Sequence, residues 1–230
     1  MGSVVPLLAT IVPLGIAAAM HPALLALQLL IVGQAHWWRR ARAFALGASI
    51  PLVLFGLLVF LGFSQLLGPK SDGIDILGIS LRTVIGLGFL AASVWLFMPH
   101  PQLQQRTAEF VSAKVASGRP GDFFVLGLIM NGKSLSSYAL LVPALHDIAR
   151  TPEVAIQLAA LTLLYVLALS TLWIPIVVAL LLGAHGASTL QRASTYVIDH
   201  NFRILAVTAL LIGVYLTGSA AVLVAFFERL

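Results

Sequence analysis

Apolar positions fall into six long runs separated by short clusters of charged and turn residues. The runs are about Val4–Gln34, Ala43–Phe63, Ile79–Met98, Phe123–Leu145, Val154–Leu182 and Ile204–Phe227. None shows the strict alternation of a strand, and each is as long as the roughly 20 residues that an α-helix needs to cross a bilayer. The pattern predicts an all-α polytopic membrane bundle of six transmembrane helices. Residues 1–98 form a first set of three, 99–121 a cytoplasmic loop, and 122–230 a second set of three.

Two runs carry interruptions. The first has about 31 residues without a charge, some 46 Å as one helix against about 30 Å of hydrocarbon. Near its middle stands Met20-His21-Pro22, where proline removes a backbone hydrogen bond and clashes with the preceding turn. The fourth run is broken at Met130-Asn131-Gly132-Lys133-Ser134, where glycine weakens a helix and asparagine competes for its backbone groups. Superposing Met20 on Met130 aligns the two breaks. Three spans per half then make the halves inverted repeats with broken first and fourth helices, an arrangement that points to a transport site near the midplane.

Composition sharpens this picture. The chain has 230 residues, of which 60% are hydrophobic and 9% charged, with mean hydropathy +1.04. A water-facing exterior needs about 25% charged residues. There is no cysteine, which excludes disulfide frameworks and thiolate chemistry. The net charge of +5 reads as loop anchoring rather than nucleic-acid binding. Eight basic residues (Arg39, Arg40, Arg42, Arg106, Lys114, Arg119, Arg192, Arg203) fall on one face and four (Lys70, Arg82, Arg150, Arg229) on the other. The first face is therefore expected in the cytoplasm, with both termini outside a plasma membrane that the chain crosses several times. His36-Trp37-Trp38-Arg39-Arg40 reads as an interfacial girdle. Within Pro99–Gly121, a short interfacial helix and a disordered linker both fit.

Lys133 is the one permanent charge expected in mid-span, 11 residues after Asp122 and 14 before Asp147. A lysine at the bilayer centre costs about 2.5–3.5 kcal/mol on the lenient insertion scale, which points to a site. All eight carboxylates lie outside or at the ends of spans, so the favoured substrate carries an anionic group. Asn131, Gly132, Ser134 and Tyr138 surround Lys133 in sequence. His21 and Pro22 belong to the first break, although a lone histidine also serves as a plain interhelical hydrogen-bonder. Tyr165, Ser170 and Thr171 could complete the cavity from the fifth run, and Pro175 reads as a kink. Gly127–Ser134 matches the phosphate-loop pattern G-x-x-x-x-G-K-[ST], but it lies in an apolar span with no strand before it. No catalytic or metal constellation stands out, so neither an enzyme nor a cofactor is expected.

With His21-Pro22 in the first run and Asn131-Gly132-Lys133 in the fourth, the chain resembles the lysine-exporter (LysE) superfamily. Arg39-Arg-Ala-Arg-Ala-Phe-Ala-Leu-Gly47 is most similar to the GAP (glycopeptidolipid-addressing) group of actinobacteria. The chain departs from the superfamily at Gly132, where proline is usual, and at His21, where a small residue is usual. The resemblance implies an exporter, and its GAP branch implies an anionic lipid or glycolipid as substrate. The alternative is proton-coupled export of amino acids or other small anionic or zwitterionic solutes. Membrane lipids are the expected surroundings. A homodimer, and a partner in envelope-lipid export, are both open.

Overall fold

The computed structural model describes residues 4–34, 36–66, 75–98, 118–183 and 186–227. Among these, every regular element is an α-helix. In chain order they are α1 (Val4–Ala19), α2 (Pro22–Val32), α3 (Trp37–Leu66), α4 (Ile76–Phe97), α5 (Pro120–Gly132), α6 (Leu135–Ala149), α7 (Val154–Ala168), α8 (Ser170–Leu182), α9 (Gly186–Asp199) and α10 (Asn201–Phe227). Three of them, α3, α4 and α10, are long and apolar enough to cross a membrane alone. The pairs α1–α2, α5–α6 and α7–α8 meet the same test together, each bent at a short break by 60°, 64° and 65°. The count is thus three spans, or six with each bent pair taken as one. A multi-pass helical membrane protein follows from either.

The first two breaks have local causes. Pro22 opens α2, where its missing N–H would have had no helical partner anyway. Pro120 opens α5 in the same way, and the Asp122 carboxylate accepts the Arg119 N–H at 2.8 Å. At the second break the Lys133 N–H still reaches Ile129 O at 3.2 Å, and Ser134 N–H reaches Asn131 O at 2.9 Å. The turn tightens and redirects the chain without orphaning those groups. The third break, at Leu169, carries neither proline nor glycine. Pro175 sits inside α8, past the bend rather than at it.

In a bilayer, helices associate through close packing of small residues, because lipid tails are as apolar as leucine. The α3–α5 contact follows that rule. A Cβ on Gly47 would lie 2.0 Å from Phe124 O, and one on Gly127 would lie 2.4 Å from Phe44 O. The other extensive contact joins α4 to α10, where Cβ atoms on Gly86 and Gly213 would meet Thr217 and Leu90 within 3.0 Å.

Two buried apolar clusters result. One gathers Ile11, Leu14, Leu141, Leu145, Ile148 and Leu164 from α1, α6 and α7. The other gathers Leu27, Ile31, Phe44, Phe123, Leu172 and Ile176 from α2, α3, α5 and α8. Gln28 is buried in the second cluster and ties three helices, its Nε2 donating to Ala41 O at 3.3 Å and Leu172 O at 2.9 Å.

The sequence pattern foresees no helix between Leu182 and about Ile204, yet α9 occupies Gly186–Asp199. It packs on α2 and α8, with Leu190 and Ser194 buried and Gln191, Arg192, Thr195, Tyr196 and Asp199 exposed. The Ser194 hydroxyl donates to Ala26 O at 2.9 Å. The interfacial helix or linker expected within Pro99–Gly121 falls mostly outside the described residues. Of the aromatic-basic girdle, Trp37 meets Trp38 edge-on at 5.6 Å, and Arg42 lies over Trp38 at 5.0 Å.

Candidate functional site

The three bends meet. Where the two apolar clusters adjoin, the end of α1, the starts of α2, α6 and α8, and the ends of α5 and α7 surround a cavity of about 10 Å³. That is room for a single water-sized sphere. Its polar lining is His21, Asn131, Ser137 and Thr171, and the rest is alanine and leucine, including Leu52 of α3. Sequence reasoning foresaw two breaks near mid-span. The structure adds Leu169 as a third, contributed to the same cavity.

Each polar group in the lining has a describable job. The Thr171 hydroxyl donates to Ala19 O, a carbonyl near the first break. The Ser137 hydroxyl reaches Ala18 O at 3.4 Å and pairs with the Ser134 hydroxyl at 2.9 Å. Asn131 is 3% exposed, and its side-chain amide donates to Ala48 O. The Asn131 carbonyl accepts the Tyr138 hydroxyl at 2.9 Å. The break is therefore braced from α3 and from α6. His21 differs: its Nδ1 is buried without a hydrogen-bond partner. An imidazole nitrogen held dry at a helix break is costly unless something polar comes to meet it.

The expected site residues divide into two groups. His21 and Asn131 come together at the cavity, with Pro22 fixing the turn beside His21. Ser134 is buried one contact behind the wall, through Ser137. Tyr138 packs against Phe55 with its ring tilted and the centroids 4.6 Å apart, and braces Asn131 from outside the lining. Tyr165 also stands outside the lining. Its hydroxyl donates to Val53 O at 3.2 Å in the space that Gly56 leaves, where a Cβ on Gly56 would collide with the Tyr165 hydroxyl.

Lys133 and Gly132 take the opposite direction. Both are exposed on the flank of the bundle, and nothing lies within 4 Å of where a Gly132 Cβ would be. Lys133 stands between a 13-residue and a 15-residue half-helix, level with the middle of the bent pair. Among the described residues it has no ion pair within 4.0 Å. Around it Ile129 and Leu135 are also exposed, Leu135 at 81%.

Gln28 was not foreseen, although a glutamine inside an otherwise apolar helix is the kind of signal that marks a buried tie. The phosphate-loop pattern dissolves in three dimensions, because Gly127 through Gly132 belong to α5 and Gly127 packs on α3. Compared with known proteins, the chain matches no family model, no curated protein and no solved structure.

Proposed function

We propose that the chain is a transporter that moves an anionic amphiphile, a lipid or glycolipid first, across the plasma membrane. The observation that carries this reading is Lys133, exposed on an apolar flank at mid-helix height beside a helix break. A lysine held there is paid for by function or by a counter-charge. An amphiphile suits the position. Its anionic head can meet Lys133 at the flank while its chains stay in lipid. A small solute would have to arrive through the cavity, which has room for about one water and is not lined by Lys133. The lipid class itself rests on the resemblance to the GAP group.

The same reading makes residues 1–98 and 122–230 inverted halves that rock about the cavity. Packing partners support it. Exchanging first for fourth, second for fifth and third for sixth segments turns the α3–α5 contact into α1–α7 and the α3–α6 contact into α2–α8, and maps α4–α10 onto itself. The glycine contacts in α4–α10 are reciprocal: Gly86 meets Thr217, and Gly213 meets Leu90, each four residues beyond the partner glycine.

The test compares surface lipids of cells carrying a deletion, the native chain, or Lys133→Ala at matched membrane abundance. The expected result is one anionic lipid or glycolipid missing from the surface of the deletion strain. The native chain restores it, and Lys133→Ala does not. Unchanged surface lipids in the deletion strain would sink the lipid reading.

A second reading, proton-coupled export of small solutes, draws on His21. His21 lines the cavity where all three bends meet, its Nδ1 buried and unpartnered, and imidazole exchanges protons near neutral pH. Export of amino acids that follows a pH gradient and is lost in His21→Gln would favour it.

A further inference from the structure

Far from the cavity, at the bundle end formed by the start of α4 and the end of α6, charged side chains gather into one connected cluster. Asp75 caps α4, accepting Gly78 N–H at 3.0 Å, and pairs with Arg150 Nη1 at 2.6 Å. Asp147 pairs with Arg82, whose Nη2 also reaches the Thr10 hydroxyl of α1 at 3.4 Å. Between the two carboxylates stands His146, its side chain 1% exposed. Nδ1 lies 3.3 Å from Asp147 Oδ1, and Nε2 lies 3.6 Å from Asp75 Oδ1. The second distance is too long for a hydrogen bond, and Nε2 is buried without a partner.

The surroundings leave little else to respond to pH. From α1 comes Thr10, and from α3 comes Phe63, edge-on to the imidazole at 5.5 Å. From α4 come Asp75 and Arg82, and from α6 itself Asp147 and Arg150. From α10 comes Tyr215, within electrostatic reach of the Arg82–Asp147 pair and donating to Ala9 O at 2.7 Å. The α7 side offers Gln157, bonded to Thr151 O at 2.7 Å, and Glu153, which is exposed. No group of three side chains among the described residues is placed to hold a metal ion.

Two arginines and two aspartates cancel, so the imidazole sets the net charge of the cluster. A neutral imidazole has one N–H and must turn a lone pair toward one of the two carboxylates. An imidazolium donates to both. Taking up a proton therefore supplies the missing donor at Nε2 and draws Asp75 in. The mechanical setting makes that contact count. Apart from α10, α6 is the helix against which α4 chiefly packs, so the cluster is the polar latch between α4 and the rest of the bundle.

We propose that His146 is a proton-binding site, and that its protonated form clamps the start of α4 to the end of α6 and closes this end of the bundle. The clamp is independent of what the protein transports. The test is hydrogen–deuterium exchange of the full chain in lipid nanodiscs between pH 5 and 8.5, corrected for intrinsic exchange. In the native protein, amides of Gly78 to Thr83 should lose at least tenfold protection in one step as pH rises. His146→Gln should exchange at the unprotected rate at every pH, and Asp75→Asn should shrink the step at least threefold. Imidazole nitrogen NMR of the native chain should show a histidine changing charge at the same midpoint, which keeps the test decisive if His146→Gln fails to fold. Protection that does not vary with pH, a step that survives in His146→Gln, or no histidine signal moving with the step would each overturn the clamp.

Discussion

Arg82 and Lys133 are cations carried by the same apolar bundle under opposite regimes. Arg82 is largely buried, its side chain 12% exposed, and is answered by Asp147 and by the Thr10 hydroxyl. Lys133 is exposed at a helix break, with no ion pair among the described residues. A buried pair costs solvation that is recovered only while both partners are present. A lone lysine on an apolar flank has no internal partner to lose. The first arrangement is what a fold needs to fasten two helices. The second leaves a charge free for something from outside, and a free charge is what a binding site requires.

The contrast breaks most sharply at Asp147. Asp147→Asn strands Arg82 in a low-dielectric setting and should cost about 3–5 kcal/mol, read as a large drop in thermal stability in detergent or nanodiscs. If stability hardly moves, the cluster is solvated and the latch reading fails with it. Next comes backbone proximity. Gly127→Ala puts a methyl 2.4 Å from Phe44 O, where no side chain can rotate away, so α3 and α5 must separate at about 1–3 kcal/mol. A matched Gly132→Ala, with open space around it, controls for glycine flexibility and should be close to neutral.

A smaller loss, about 0.6–1.7 kcal/mol, is expected for Gln28→Leu. It removes donors to two helices, at the modest worth of hydrogen bonds inside membranes. Smallest is Lys133→Ala, which should leave stability within about 0.5 kcal/mol or raise it, while surface display of the lipid proposed as substrate is lost. A drop comparable with that of Asp147→Asn would place Lys133 among the structural cations instead.

The first two breaks could be read from the chain, for reasons that are local. Pro22, Gly132 and Asn131 act on their own backbone or the adjacent turn, so the first two breaks are visible in a few residues. The bend at Leu169 is not, because Leu167-Ala168-Leu169-Ser170 contains nothing that disfavours a helix. That bend is held by its neighbours, through Thr171 to Ala19 O and the approach of Leu167 to Gly15. The α9 helix had a usable signal, with Leu190, Ala193, Ser194 and Val197 at helical spacing, masked by the polar residues between them. The cluster around His146 joins residues 65 and more positions apart, as Arg82 to Asp147. Sequence places those carboxylates at span ends but cannot say which charges meet. The direction in which Lys133 points was equally hidden, since the tightened turn at Asn131–Ser134 decides it.

The hydrogen bond from Ser194 to Ala26 O couples the polar-faced α9 to the half-helix that begins at Pro22. Swinging α2 about the His21 break must drag α9 with it, and α9 presents its polar side outward. In a bilayer such a helix rests among headgroups, so its displacement is work done against lateral pressure in one leaflet. Crowding that leaflet would stiffen the hinge and thinning it would soften it. The membrane would thus act as a spring on the cavity, without any lipid having to enter it.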